Sequence, residues 1–265
     1  MRVSITEGLD FVLTHFGGDN ALYPKFVAVG EDWMIPVNSK SEALTEFYRG
    51  QLINCRICPY PKFVEDYRKS DARGAMVSGG VGIGPNFLFI DIDRGAFSKT
   101  LDAYSAETEN TLNTVLYKVL DNINQRFHGV FKPTVLWTGN GYHIYLPVQL
   151  SGPSWCLGHT DLFLNVSKKP DVEFLRWAEY YLSDGLADPA HYTTCSFNNM
   201  WCRVPGSFNL KVGVAKPVVL VQKWDGHRPY INWILRDFHS YLIDKSLKPK
   251  TEGPVEFKEF SSKWN

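Results

Sequence analysis

Leu112, Val115, Leu116, Val119, Leu120, Ile123 and Phe127 recur at spacings of three and four, the period of a helix of about five turns with one buried face. A helix of that kind packs on a sheet, and strands flank it. Phe87-Leu88-Phe89-Ile90 is a continuous apolar run leading into Asp91-Ile92-Asp93 and reads as a buried strand. Ahead of it, 75–78 reads as a short strand and the glycine-rich stretch 79–85 as a loop. Two β-branched and aromatic runs, 134–137 and 142–148, flank Thr138-Gly139-Asn140-Gly141 and predict a hairpin. A second helix is expected over 172–182, with Asp171 placed to cap it after Pro170. Residues 217–224 read as a strand. A last helix after Pro229 carries Ile231, Ile234, Leu235, Phe238 and Leu242 on one face. The stretch 4–69 is less patterned, and its clearest element is a helix around 41–49. Strand, helix, hairpin, helix, strand describes an α+β fold with helices on one face of the sheet. The expected organisation is an N-terminal α/β unit over 1–73 packed on a core over 74–246, with a polar, turn-rich tail or linker over 247–265.

Composition narrows the function classes. The 265 residues carry 28 Lys+Arg against 28 Asp+Glu, so the formal net charge is zero, which excludes a protein that coats nucleic acid or an anionic membrane through a broad positive field. With 44% apolar, 14% aromatic and 21% charged residues, the chain has the material for a packed core and is not a disordered polyelectrolyte. No apolar run reaches the roughly 18–20 residues that span a bilayer, and Met1 to Asp10 lacks the basic and apolar pattern of a signal peptide. These features lead us to expect an intracellular, cytoplasmic protein without a membrane partner. Five cysteines, an odd count, suit reduced thiols or a metal site better than a disulfide framework.

Three stretches carry candidate chemistry. Asp91 and Asp93 alternate along a strand and share a face, and two adjacent carboxylates in a poorly solvated place repel unless a cation sits between them. That outlines a site for Mg²⁺ or Mn²⁺; the alternative is a solvated turn in which Arg94 neutralises one acid. In the hairpin, the Thr138 hydroxyl and the backbone amides of Gly139, Asn140 and Gly141 can form an anion-binding concavity, with His143 on the returning strand as a further donor. Its alternative is an ordinary hairpin whose histidine satisfies a core hydrogen bond. The third stretch is Leu186-Ala-Asp188-Pro followed by Arg203-Val-Pro-Gly-Ser207-Phe-Asn209-Leu-Lys211. Extended backbone after the Pro-Gly bend puts Ser207, Asn209 and Lys211 on one face, and with Arg203 they supply donors for a phosphate chain. Asp188 reads alternatively as an Asp-Pro turn initiator. From Arg203 to Arg236 there are six Lys/Arg against the single acid Asp225, so positive charge is concentrated here.

In this order, the Asp-x-Asp strand, the Thr-Gly-x-Gly-x-His hairpin and the hydrophobic-Asp element with Arg-x-Pro-Gly-Ser-x-Asn-x-Lys resemble the archaeo-eukaryotic primase superfamily, over about residues 72–213. The resemblance implies an RRM-like catalytic sheet with flanking helices plus an N-terminal α/β unit, with the active site in the cleft between them. By the same resemblance Asp91, Asp93 and Asp188 are the metal-binding carboxylates. Thr138, Gly139, Asn140, Gly141 and His143 contact the nucleotide, and Arg203, Ser207, Asn209 and Lys211 complete its triphosphate pocket. Thr138 stands where serine is often found, and Asn209 where small-subunit primases tend to have histidine. The implied activity is template-dependent nucleotidyl transfer, by a DNA primase or primase-polymerase, with two divalent ions. Single-stranded DNA template, a primer strand and dNTP or NTP are the implied partners, with a helicase or large primase subunit as a protein partner and an archaeal, plasmid or viral replicon as the setting. Two relatives of that reading are a catalytically silent primase-fold subunit and an end-joining repair polymerase; a metal-dependent glycosyltransferase is disfavoured by the Arg203 to Lys211 element.

Cys55-x2-Cys58 and Cys156-x2-His159 have zinc half-site spacing. If zinc is bound, the chosen set is Cys156, His159, Cys195 and Cys202, which flank the catalytic motifs; the alternative is buried, idle thiols. Net neutrality further predicts that the chain alone holds DNA weakly and releases it as salt rises.

Overall fold

The first helix, α1 (Ile5–Thr14), begins with a capping box: the Ser4 hydroxyl accepts from the Glu7 N–H, and the Glu7 carboxylate accepts from the Ser4 N–H. It is followed by the hairpin β1 (Lys25–Val29) and β2 (Asp32–Val37), by α2 (Lys40–Arg49) capped by Ser39, and by the two-residue strand β3 (Arg56–Ile57). The computed structural model describes residues 2–18, 23–58, 87–94, 106–129, 131–149, 170–188, 200–211 and 213–247. The strand expected at 75–78, the loop at 79–85 and the tail beyond 247 lie outside the described residues.

The apolar run at Phe87 forms β4 (Phe87–Asp93), and the periodic stretch forms α3 (Ala106–Arg126). Next come the hairpin β5 (Thr134–Trp137) and β6 (Gly141–Pro147), then α4 (Pro170–Ser183). Helix α4 starts at Pro170, so Asp171 lies inside it and is not its cap. Proline at the first helical position costs no hydrogen bond, because that N–H has no partner in the helix anyway. The chain continues with β7 (Cys202–Arg203), β8 (Phe208–Lys211), β9 (Val214–Pro217), β10 (Val219–Gln222) and α5 (Asn232–Leu247). The single strand expected at 217–224 is thus divided. At Val218 the backbone turns aside to pair with the 206–207 bend, donating to Ser207 O at 2.8 Å and accepting from Gly206 N at 3.1 Å.

The fold is mixed α+β with antiparallel sheets and five helices among the described residues. One four-stranded sheet runs β10-β5-β6-β4, a second runs β2-β1-β3-β7, and β8-β9 form a two-stranded ribbon. In the first, β6 lies between β4 and β5, the two strands joined by α3, which is a split β-α-β arrangement. The second sheet takes three strands from residues 25–57 and its fourth from 202–203, and both sheets contribute to one contiguous apolar core.

Helices lie on both faces of the first sheet, not one. Phe87, Phe89 and Tyr145 share a face, and the His15 ring at the end of α1 packs against Phe87 and Tyr145. Leu88, Ile90 and Ile92 point the other way, to the side where α3 and α4 pack on β4 and where the Tyr142 hydroxyl donates to Asn113 of α3. None of the described helices is long and apolar enough to cross a membrane.

Candidate functional site

The face of the first sheet that α1 covers at one end is open at the other, and there β4 delivers Asp91 and Asp93. The Asp91 backbone is held from outside the β4–β6 pair: its N–H donates to the buried Glu179 carboxylate of α4 at 2.9 Å, and its carbonyl accepts from the Asp188 N–H at 2.7 Å. Asp91 and the opposing His143 therefore form a pair without mutual backbone hydrogen bonds, the closer of the two antiparallel spacings. His143 Nε2 lies 3.5 Å from Asp91 Oδ1. Phe89 meets the imidazole edge to face, with centroids 4.9 Å apart, and so fixes its orientation. Asp93 is in an ion pair with Lys211 at 2.5 Å.

The β5–β6 turn closes this end of the sheet. The Thr138 N–H and hydroxyl both donate to Gly141 O, at 2.9 and 3.2 Å. Two glycines are required here. Gly139 has φ +85, and a Cβ on Gly141 would stand 1.9 Å from Ile92 O of the adjoining strand. Asn209 of β8 donates its side-chain amide to Thr138 O at 2.8 Å, tying the ribbon to the turn.

These elements enclose a cavity of about 420 Å³, whose lining includes Asp91, Asp93, Thr138, Asn140, His143, Arg203, Asn209 and Lys211. Eight of the residues selected from the sequence therefore converge. Ser207 does not line it: its hydroxyl is buried and donates to Val204 O at 2.6 Å, stabilising the Pro-Gly bend. Asp188 reaches Asp91 through its backbone and is likewise outside the lining, as are Gly139 and Gly141, whose part is to shape the turn. Asn54, Arg56, Phe89, Trp201 and Leu210 also line the cavity and were not selected. Arg56 sits between Cys55 and Ile57, where zinc spacing draws the eye to the thiols; a lone charge inside an apolar run was the available signal.

Arg56 and Arg203 occupy directly opposed positions on β3 and β7. Burial, then the neighbouring Arg56 charge, pull the Arg203 guanidinium down to about 10, against the pull of Tyr145, Asp91 and Asp93. The Arg203 backbone is fixed by the buried Tyr145 hydroxyl, which donates to its carbonyl at 3.2 Å.

The oxygen donors suit a hard divalent cation, and Asp91 and Asp93 are the pair that would hold one. Among the described residues no group of three or more His, Cys, Asp or Glu side chains is arranged around a common metal position. Cys156, His159 and Cys195 of the zinc set lie outside the described residues, and Cys202 is buried in the apolar core. Cys55 is buried too, and burial pushes its thiol up to about 12, which disfavours the thiolate that zinc needs.

No family model matches the chain, and no curated protein or solved structure is a significant match to it.

Proposed function

We propose that the chain is a template-dependent nucleotidyltransferase, a DNA primase or primase-polymerase with an RRM-like catalytic sheet, that joins nucleotides to a 3′-hydroxyl with release of pyrophosphate. One observation carries the reading: a single cavity is lined by the acids Asp91 and Asp93, by the bases Arg56, Arg203 and Lys211, and by His143. Acids and bases sharing one cavity suit a ligand that is itself a metal-bound polyphosphate. Two divalent ions, when bound, would lower the pKa of the attacking hydroxyl and stabilise the leaving group. The chain's own part is to hold those ions through Asp91 and Asp93 and to set donors around the phosphates. His143 and Asn140 offer side-chain donors, and the guanidiniums offer fixed charge. Single-stranded template and primer would approach the exposed side of the cavity beside the β8–β9 ribbon, and a helicase or large primase subunit is the corresponding protein partner. The setting proposed is the cytoplasm and a plasmid, viral or archaeal replicon.

The test is incubation of the protein with single-stranded DNA, Mg²⁺ or Mn²⁺ and either dNTPs or NTPs, with and without primer. Labelled products with the template's sequence are expected. Failure to incorporate with either metal and either nucleotide set would overturn the proposal. A catalytically silent subunit is the second reading. It is favoured by the occupation of Asp93 by Lys211 and by the position of the Asp188 side chain outside the cavity lining, and it predicts nucleotide or DNA binding without products.

A further inference from the structure

Strands β3 and β7 are two residues each, and their register puts Arg56 opposite Arg203 and Ile57 opposite Cys202. Residues directly opposed on paired strands project from the same face with Cβ atoms about 4.5–5.5 Å apart, and like charges in that relation are unfavourable. Both arginines line the cavity. Arg203 is 7% exposed, and its Nη1 has no hydrogen-bond partner among the described residues. A buried guanidinium nitrogen in that state normally finds an acceptor, and two adjacent guanidiniums favour one with several oxygens and more than one negative charge. The Asp91 and Asp93 charges favour the Arg203 guanidinium through space, but neither accepts a hydrogen bond from its Nη1.

We propose that Arg56 and Arg203 form a two-armed site for a polyphosphate, and that Arg56, supplied by the N-terminal sheet, is a ligand-positioning residue for it. Naming the ligand as a nucleotide's phosphate chain rests on the polymerase reading; binding of the phosphate chain itself does not. A cavity of about 420 Å³ is of the size that holds a small molecule, so the commitment is to a free terminal polyphosphate, not to the phosphodiester backbone of DNA. The two arms lie on strands whose sequence positions are far apart, so the ligand would also bridge the 25–57 region to the 202–211 region.

The experiment is calorimetric titration of the whole protein with inorganic pyrophosphate, in the absence of metal and template. The parent is compared with Arg56→Gln, Arg56→Lys, Arg203→Gln and, as a control for bulk charge, the exposed helix residue Lys118→Gln. Pyrophosphate binding by the parent is expected, weakened at least tenfold in Arg56→Gln and in Arg203→Gln, partly recovered in Arg56→Lys and unchanged in Lys118→Gln. Thermal melts check that each variant is folded at the temperature of the titration. Equal pyrophosphate affinity in parent and Arg56→Gln overturns the proposal, as does absence of pyrophosphate binding in the parent. A single-stranded oligonucleotide without terminal phosphate is titrated in parallel, and an Arg56 effect confined to it assigns the arms to the DNA backbone and also overturns the proposal. Pyrophosphate binding that needs Arg56 in a protein that incorporates nothing would leave this site standing and remove the polymerase reading. Incorporation with an Arg56→Gln affinity unchanged would do the reverse.

Discussion

His143 and Asp91 face each other across the β4–β6 pair, with the imidazole Nε2 3.5 Å from the carboxylate. The histidine is thus positioned by the same strand pair that presents the acid, and its orientation is fixed by the edge-on Phe89 ring. In the proposed reaction it donates to the nucleotide phosphates. His143→Ala should weaken nucleotide binding about 10- to 100-fold, the equivalent of one hydrogen bond to a charged group at ~1.5–3 kcal/mol. Titration of parent and variant with a non-hydrolysable nucleotide and Mg²⁺ measures it; equal affinities would remove His143 from the site.

Asp91→Asn and Asp93→Asn should each lower primer extension by at least about a thousandfold, because metal-assisted charge stabilisation amounts to several kcal/mol. The fold should survive. Asp93 loses a partly exposed ion pair with Lys211, a contact of the kind that contributes ~0–1 kcal/mol. Circular dichroism melts report the fold, and extension of a labelled primer reports the chemistry.

His15 makes the stability of the protein fall in acid. Its Nδ1–H donates to Phe11 O at 2.9 Å, so Nε2 accepts from the Thr134 hydroxyl at 2.8 Å, and the neutral ring is fully buried. Burial lowers its pKa from 6.5 to about 4. Between those values the unfolded chain binds a proton that the folded chain does not. Stability is therefore intact above pH 6.5 and is lost as the pH falls towards 4, by up to about 3 kcal/mol. Urea melts at pH 7 and pH 4.5 should show a larger drop for the parent than for His15→Gln. Equal drops would show that this ring does not carry the effect.

Gly141→Ala should be strongly destabilising for its size. The added methyl would meet Ile92 O at 1.9 Å, so β4 and β6 would have to separate where Asp93 and Gly141 are opposed. Overpacking of this kind costs ~1–3 kcal/mol, occasionally more, and here the obstacle is backbone. A thermal melt several degrees lower, with reduced primer extension at a temperature where the variant is folded, is the expected result. An unchanged melting temperature would contradict the close approach of the strands.

Much of the central sheet was legible because its elements have one kind of neighbour on each side. The α3 stripe of Leu112, Val115, Val119 and Ile123 is buried as its period requires, and the hairpin announces itself by glycine between β-branched runs. The N-terminal sheet was not legible for a physical reason. Strand β1 has five residues and opens on a lysine, and β2 contains Pro36, which weakens the signal of a strand. Strands of two residues, such as β3 and β7, leave no periodic signal at all. The candidate site divides the same way. Asp91, Asp93 and His143 lie on long strands and were readable, whereas Arg56 acquires its place only from pairing with β7. Ser207 has the predicted extended neighbours, but its hydroxyl serves the bend it sits in.

The two-residue strand β7 makes the cavity depend on distant parts of the chain. It lends Arg203 to a sheet whose other three strands all lie before residue 58, so the cavity wall is assembled from both ends of the described chain. A recombination event or graft that cuts between β3 and β7 would separate Arg56 from Arg203 and leave each fragment with an unfinished sheet. Neither fragment alone could form the wall that carries both guanidiniums, so the cavity belongs to the undivided chain.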